Sequence, residues 1–393
     1  MNQIDNDINS LFVWFSPDFY EGFVYNLYNY LIILISLLFF LKKKKINVNI
    51  FKILALCSLT PFILNNVIFD WHQFPDQSKY LNQSRELRNS FLIFYDQYVP
   101  FKINYFYASI FFFNLETFSS IGFINRFCFN LLIIFFIKKK SVNEISLLVL
   151  LFYPSIIFQS SISLKDICTF MLNIIYLYFL IKKKIKYRYF SLLVILLLLF
   201  YIGKEIFFLT TFLTLIYSLY KNKFKYSLIV LFLFIIFYIL NFYIFNFDFI
   251  NILNEKRLGY FLESFGLYND NFSPIIYKSY YDLNNLNFLL IIQLLKQLLY
   301  FIFSPLLLSK LNLFNLILFI DQIFILLALF ACYIKLRNYN KKIFFFWIFI
   351  ILINSLIYSL FIFNEGTMFR YRFAFLVCAI FAMNLELINR KSS

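Results

Sequence analysis

Six clusters of lysine and arginine punctuate the chain: Lys42–Lys45, Lys138–Lys140, Lys182–Arg188, Lys221–Lys225, Lys335–Lys342 and Arg390–Lys391. Each abuts a run of apolar residues long enough to cross a bilayer. Cytoplasmic loops of membrane proteins carry the excess of Lys and Arg, so the clusters fix the inner face almost span by span. Nearly every carboxylate then falls on the opposite face. Only 14% of the residues are charged, against about 25% in soluble domains, which points to a polytopic membrane protein. The net charge of +16 does not imply nucleic acid as a partner, because much of it sits in the clusters that orient helices. The five cysteines lie in apolar segments, no C-x-x-C occurs, and the single His72 cannot build a histidine metal site.

A straight span needs about 20 residues. The apolar runs predict spans at 24–41, 50–69, 118–137, 144–160, 163–181, 189–203, 205–220, 226–246, 312–334, 343–363 and 371–389. The expected fold is therefore an all-α polytopic integral membrane helical bundle with about 11 transmembrane helices, forming a single domain over 1–393. Asp5, Asp7, Asp18 and Glu21 precede the first run, the wrong polarity for a cleaved signal peptide, so the N-terminus is expected outside and the C-terminus inside. Two polar outer loops follow, 70–117 and 247–285. Segment 286–304 carries Gln293, Lys296 and Gln297. If it spanned, the cluster from Lys335 would face outward, so it is expected as a re-entrant or interfacial helix on the outer face.

The outer face carries the chemistry-bearing residues. In the first loop, Asp76, Tyr80 and Gln83/Ser84 recur at helical spacing after Pro75, predicting a short helix. A carboxylate here, Asp76 or the earlier Asp70, is placed to take a proton from a hydroxyl, whereas the bland alternative is a solvated loop whose acids balance Arg85, Arg88 and other bases. Between the fourth and fifth spans comes Tyr153-Pro154-Ser155, then Ser160-Ser161-Ile162-Ser163-Leu164-Lys165-Asp166. Lys165 can meet a lipid phosphate, and Asp166 can hold a loop or favour the start of the fifth helix. Lys204-Glu205 repeats a cation–carboxylate step. Arg126, inside the third span, either snorkels to the headgroups or faces an aqueous pocket. Asn364 to Arg372 predicts a tight outer hairpin in which Arg370 and Arg372 offer planar forks for phosphate. Asp321-Gln322, nearer midspan, is expected to hydrogen-bond between helices.

The order of these motifs resembles a known family: Asp76 with Tyr80, Phe-Tyr-Pro-Ser through Leu-Lys-Asp (152–166), Lys204-Glu205, Phe-Ser-Pro (303–305), and Glu-Gly-Thr…Arg-Tyr-Arg (365–372). They resemble those of GT-C-type membrane glycosyltransferases, the dolichyl-phosphate-mannose-mannosyltransferase-like group of bacterial envelopes. O-antigen polymerase-like membrane proteins share a similar layout. The resemblance covers roughly residues 65–390. It implies residence in a bacterial cytoplasmic membrane, a polyprenyl-phosphate-linked sugar as donor, and a glycan or lipid as acceptor. It makes Asp76 the candidate base with Asp70 as alternative, and Lys165, Arg370, Arg372 and Lys204 candidate ligands of the donor phosphate. Tyr80, Arg85, Arg126, Asp166 and Glu365 are supporting candidates. The first loop lacks an adjacent acidic pair, and a span precedes the one feeding it, so use of a divalent metal stays open. Two further functions stay open as well: polymerisation of lipid-linked repeat units, and transport of a lipid-linked saccharide. The gathering of charge at one face favours an enzyme.

Overall fold

The computed structural model describes residues 19–64, 76–89, 102–162, 165–182, 188–202, 210, 213–214, 216–221, 254–255, 257–259, 261, 288–303, 313–337, 339–360 and 365–391. Every described element of any length is an α-helix: α1 (Phe19–Lys42), α2 (Val48–Cys57), α3 (Thr60–Leu64), α4 (Asp76–Asn89), α5 (Lys102–Ser109), α6 (Ser120–Lys138), α7 (Glu144–Phe152), α8 (Pro154–Ser161), α9 (Asp166–Ile181), α10 (Arg188–Ile202), α11 (Phe288–Phe303), α12 (Leu313–Arg337), α13 (Lys341–Ser359) and α14 (Glu365–Lys391). Among the described residues, five helices are long and apolar enough to cross a membrane, in α1, α6, α12, α13 and α14, or six if the bent pair α7–α8 counts as one span. Each of the five has Lys or Arg at the end that the sequence assigns to the inner face: Lys42, Lys138, Arg337, Lys341 and Arg390. The length and apolarity of these helices point to a membrane protein.

The remaining expected spans differ in form. The run at 50–69 divides into α2 and α3. There Ser58 Oγ donates to Leu54 O (2.6 Å) and Thr60 Oγ1 to Cys57 O (2.6 Å), so hydroxyls occupy carbonyls at the helix break. The run at 144–160 is bent by 47° between α7 and α8. Pro154 causes this bend: it lacks an N–H, holds Tyr153 extended (φ −65°, ψ 119°), and fits the first position of a new helix. Helix α9 has 16 residues, short of a straight crossing, and α10 is described over 15. The span at 226–246, half of that at 205–220 and nearly all of the 247–285 loop lie outside the described residues.

The chain forms two compact units. The first takes Met1–Val142, Leu150–Phe152 and Ile156–Met171. Helix α6 is its centre, with 72% of its spanning window buried against 17% for α1. Gly122 on α6 lets the carbonyl of Ser161 come so close that a Cβ there would collide with it. Helices α1 and α6 end alike, with Lys44 and Lys140 at φ 52° and 49°. Lys45 N–H donates to Phe40 O and Ser141 N–H to Phe136 O, while Lys44 and Lys140 donate to Leu41 O and Ile137 O. This is the Schellman arrangement, with a lysine where glycine is usual. A lysine holds this position at both helix ends despite the backbone cost.

The second unit takes Asn143–Val149, Tyr153–Ser155 and Leu172–Ser393. Its central helix is α14, 78% buried over its spanning window. Phe301, Tyr358, Tyr371 and Phe375 stack with ring centroids 5.2–6.2 Å apart. The expected tight hairpin at Asn364–Arg372 is different: from Glu365 onward it is the first two turns of α14. Segment 286–304 contains a single helix, α11, which buries Leu290, Gln293, Gln297 and Phe301 while exposing Phe288, Leu289, Ile291, Leu295 and Leu299. Apolar residues facing outward and amides facing inward suit a helix surrounded by lipid.

Candidate functional site

In the second unit, two motifs far apart in sequence meet at one carboxylate. Asp321, on α12 and 1% exposed, accepts from Tyr153 Oη (2.8 Å), Ser155 N (2.9 Å) and Ser155 Oγ (2.5 Å). Arg372, on α14 and 3% exposed, places Nη2 3.9 Å from Asp321 Oδ2 and donates Nη1 to Phe301 O (3.3 Å). Because Pro154 opens α8, the Ser155 N–H is one of the first-turn donors that no helical carbonyl can reach. Asp321 satisfies it from another helix, and its negative charge suits a helix N-terminus. Three hydrogen bonds and a guanidinium together make a carboxylate tolerable inside apolar helices.

In the first unit, α4 and α5 form a polar cap. Arg88 donates to the carbonyls of Ala108, Phe113, Tyr107 and Ile110 (2.7–3.4 Å). Arg85 binds Leu115 O and, at 2.8 Å, Glu116 Oε2. Both cations thus hold the end of α5 and the loop after it, where the last carbonyls need donors. Burial lowers both arginines from their ordinary range, and Glu116 partly offsets this. Tyr107 links α5 to α6 by donating to Asn125 Oδ1 (3.0 Å), and burial chiefly holds its phenol well above the usual range. Asn104 donates to Gln83 Oε1 (2.6 Å).

Arg126, toward the N-terminal end of α6, does not snorkel. Its side chain is fully buried, Nη1 donates to Ser160 Oγ (2.6 Å), and Cζ lies 5.7 Å from the Phe129 ring centroid. Among the described residues, Nε and Nη2 have no hydrogen-bond partner.

The predicted site residues are divided between the units. Asp76 is the first residue of α4, and Tyr80, one turn later, is buried. Lys165 is half-buried, and its carbonyl accepts from Cys168 N (3.0 Å) at the start of α9. Asp166 is buried in the first turn of that helix, where its charge complements the helix dipole. These residues, with Arg85 and Arg126, belong to the first unit, and Arg372 to the second. Glu365 and Arg370 lie in the first turns of α14, but their side chains, like that of Asp76, are outside the described residues, as are Asp70 and Lys204. Among the described residues no group of three acidic, His or Cys side chains is assembled for a metal.

The expected interhelical role of Asp321 holds. Its pairing with Arg372 had no local signal, because the partners are brought together only by packing. Gln159, next to Ser160 and fully buried with neither amide atom partnered, was also missed. A glutamine amid serines inside an apolar run was the one available cue. No protein family, curated protein or solved structure matches the chain.

Proposed function

We propose that the chain is a glycosyltransferase of the cytoplasmic membrane, moving a sugar from a polyprenyl-phosphate donor to a glycan or lipid acceptor at the extracytoplasmic face. The observation that carries it is the convergence on Asp321 of Tyr153-Pro154-Ser155 and Arg372, since both segments belong to the motifs that resemble this enzyme group. Ion pairs Lys335–Glu144 (3.7 Å) and Lys221–Glu386 (2.5 Å) join residues assigned to the inner face, which supports the sidedness. In the reaction, the acceptor hydroxyl oxygen attacks the anomeric carbon as the bond to the phosphate oxygen breaks. Asp76 takes the hydroxyl proton, and polyprenyl phosphate leaves with the electron pair, its charge met by nearby cations such as Lys165. A single displacement of this kind inverts the anomeric centre. Asp321 and Arg372 act as positioning residues that fix the start of α14.

One observation favours a second function. A bent helix pair, α7–α8, with a buried ionisable pair beside it is a feature of transporters, so export of a lipid-linked saccharide is the competing function. Cells carrying Asp76→Asn, with insertion and protein level checked, separate the two. Transfer predicts a lipid-linked donor that accumulates and is reached by an external glycosidase. Export predicts a saccharide that accumulates protected inside. An unchanged lipid-linked pool and glycan profile would refute the catalytic role of Asp76.

A further inference from the structure

Two buried arginines lie in the central helices of the two units, and only one is neutralised. Arg372 faces Asp321. Arg126 faces Ser160, the Phe129 ring and Cys57, and among the described residues no carboxylate lies within ion-pair distance of it. A buried guanidinium with two idle N–H directions is costly in hydrocarbon, where water cannot stand in for a partner. Its surroundings are a seam of further polar groups. Asn130, one helical turn along α6, donates to Ser58 Oγ (2.8 Å) and leaves Oδ1 unpartnered. Thr60 and Ser161 share a hydrogen bond of 2.5 Å. Gln159, beside Ser160 in sequence, leaves both amide atoms idle.

We propose that Arg126 is an anion-binding site in the first unit, taking a phosphate monoester through its Nε and Nη2. Those two guanidinium N–H groups form the edge of the planar fork that binds phosphate with two parallel hydrogen bonds. Arg126 lies about 9 Å along α6 from its first residue, close to the outer end, where the phosphate head of an amphiphile would rest with its chain in the bilayer. The inference deepens the donor function proposed above but concerns binding alone. A failure here would leave the Asp76 assay untouched.

The test uses the purified full chain in non-ionic detergent, with thermal unfolding followed on adding dodecyl phosphate, inorganic phosphate or dodecanol. Ligand binding to the native state raises Tm with concentration. A rise with dodecyl phosphate but not dodecanol, lost in Arg126→Met, supports the site. If inorganic phosphate is inert the source is a lipid headgroup, and if it acts equally the source is a free phosphate. Arg126→Lys, which keeps the charge without the fork, should bind about tenfold or more weakly, and it serves if Arg126→Met does not fold. Equal shifts in wild type and both variants, or no shift with any phosphate, would overturn the proposal.

Discussion

Asp321 and Arg372 offer the sharpest test of how the second unit is held together. Asp321→Asn removes the charge that faces Arg372 and puts an amide N–H where Tyr153 Oη or Ser155 now donates. Breaking a buried pair from one side costs about 3–5 kcal/mol, because the surviving charge is left uncompensated, so the unfolding equilibrium should move by roughly two to three and a half powers of ten. Arg372→Met should cost less, about 1–3 kcal/mol, because Asp321 keeps three donors. The double variant removes both charges and should be less destabilised than the sum. The 3.9 Å separation is too long for a direct hydrogen bond, so the coupling should fall in the lower half of the range for interacting neighbours, about 0.5–2 kcal/mol. The assay is a double-mutant cycle on the purified chain in neutral detergent, with unfolding followed by tryptophan fluorescence and far-UV circular dichroism. Additive effects, within about 0.5 kcal/mol, would refute the pairing and release Arg372 to serve an external anion.

Two glycine exchanges should act with opposite sign. Gly122→Ala drives a methyl into the Ser161 carbonyl, forcing backbone apart at a cost of about 1–3 kcal/mol, whereas Lys140→Gly relieves a left-handed lysine (φ 49°) and should gain about 0.5–1 kcal/mol. Thermal melts of both variants check this, and a stabilised Gly122→Ala would contradict the close approach. Topology is tested with exposed lysines: Lys79→Cys should react with an impermeant maleimide on intact cells, and Lys139→Cys only after permeabilisation. The opposite pattern would invert the inner and outer faces and remove the extracytoplasmic active site.

The long spans were legible because a bilayer leaves a plain signature: an apolar run of about 20 residues closed by cations. Helices α1, α6, α12, α13 and α14 follow it within a few residues. Helix α4 was legible from Pro75 and from Asp76, Tyr80 and Ser84 at turn spacing. Helix breaks were not, because Ser58, Thr60 and Pro154 scarcely change the apolarity of a run while they redirect its backbone hydrogen bonds. Nor were the site's partners. Asp321 meets Ser155 across 166 positions and Arg126 meets Ser160 across 34. Local sequence states what each side chain can donate or accept, and only packing states to whom.

That distinction separates the arginines, which look alike in sequence as basic residues near the outer face. Arg85 binds a loop carbonyl and Glu116, and Arg88 four backbone carbonyls. Arg372 is bound to Asp321 and a carbonyl. These side chains spend their donors inside the protein. For them the charge is a means of holding helices or loop ends, and a well-packed apolar replacement of a whole pair can be nearly neutral. Arg126 differs because it is a buried cation that no carboxylate among the described residues pairs with, and two of its nitrogens have no partner there. If its role were packing alone, Arg126→Met should stabilise the chain even without added phosphate, and dodecyl phosphate should then act equally on both forms. If the site is built for phosphate, the same variant gains stability only when the ligand is absent, and the order of the two melting curves reverses as dodecyl phosphate is raised.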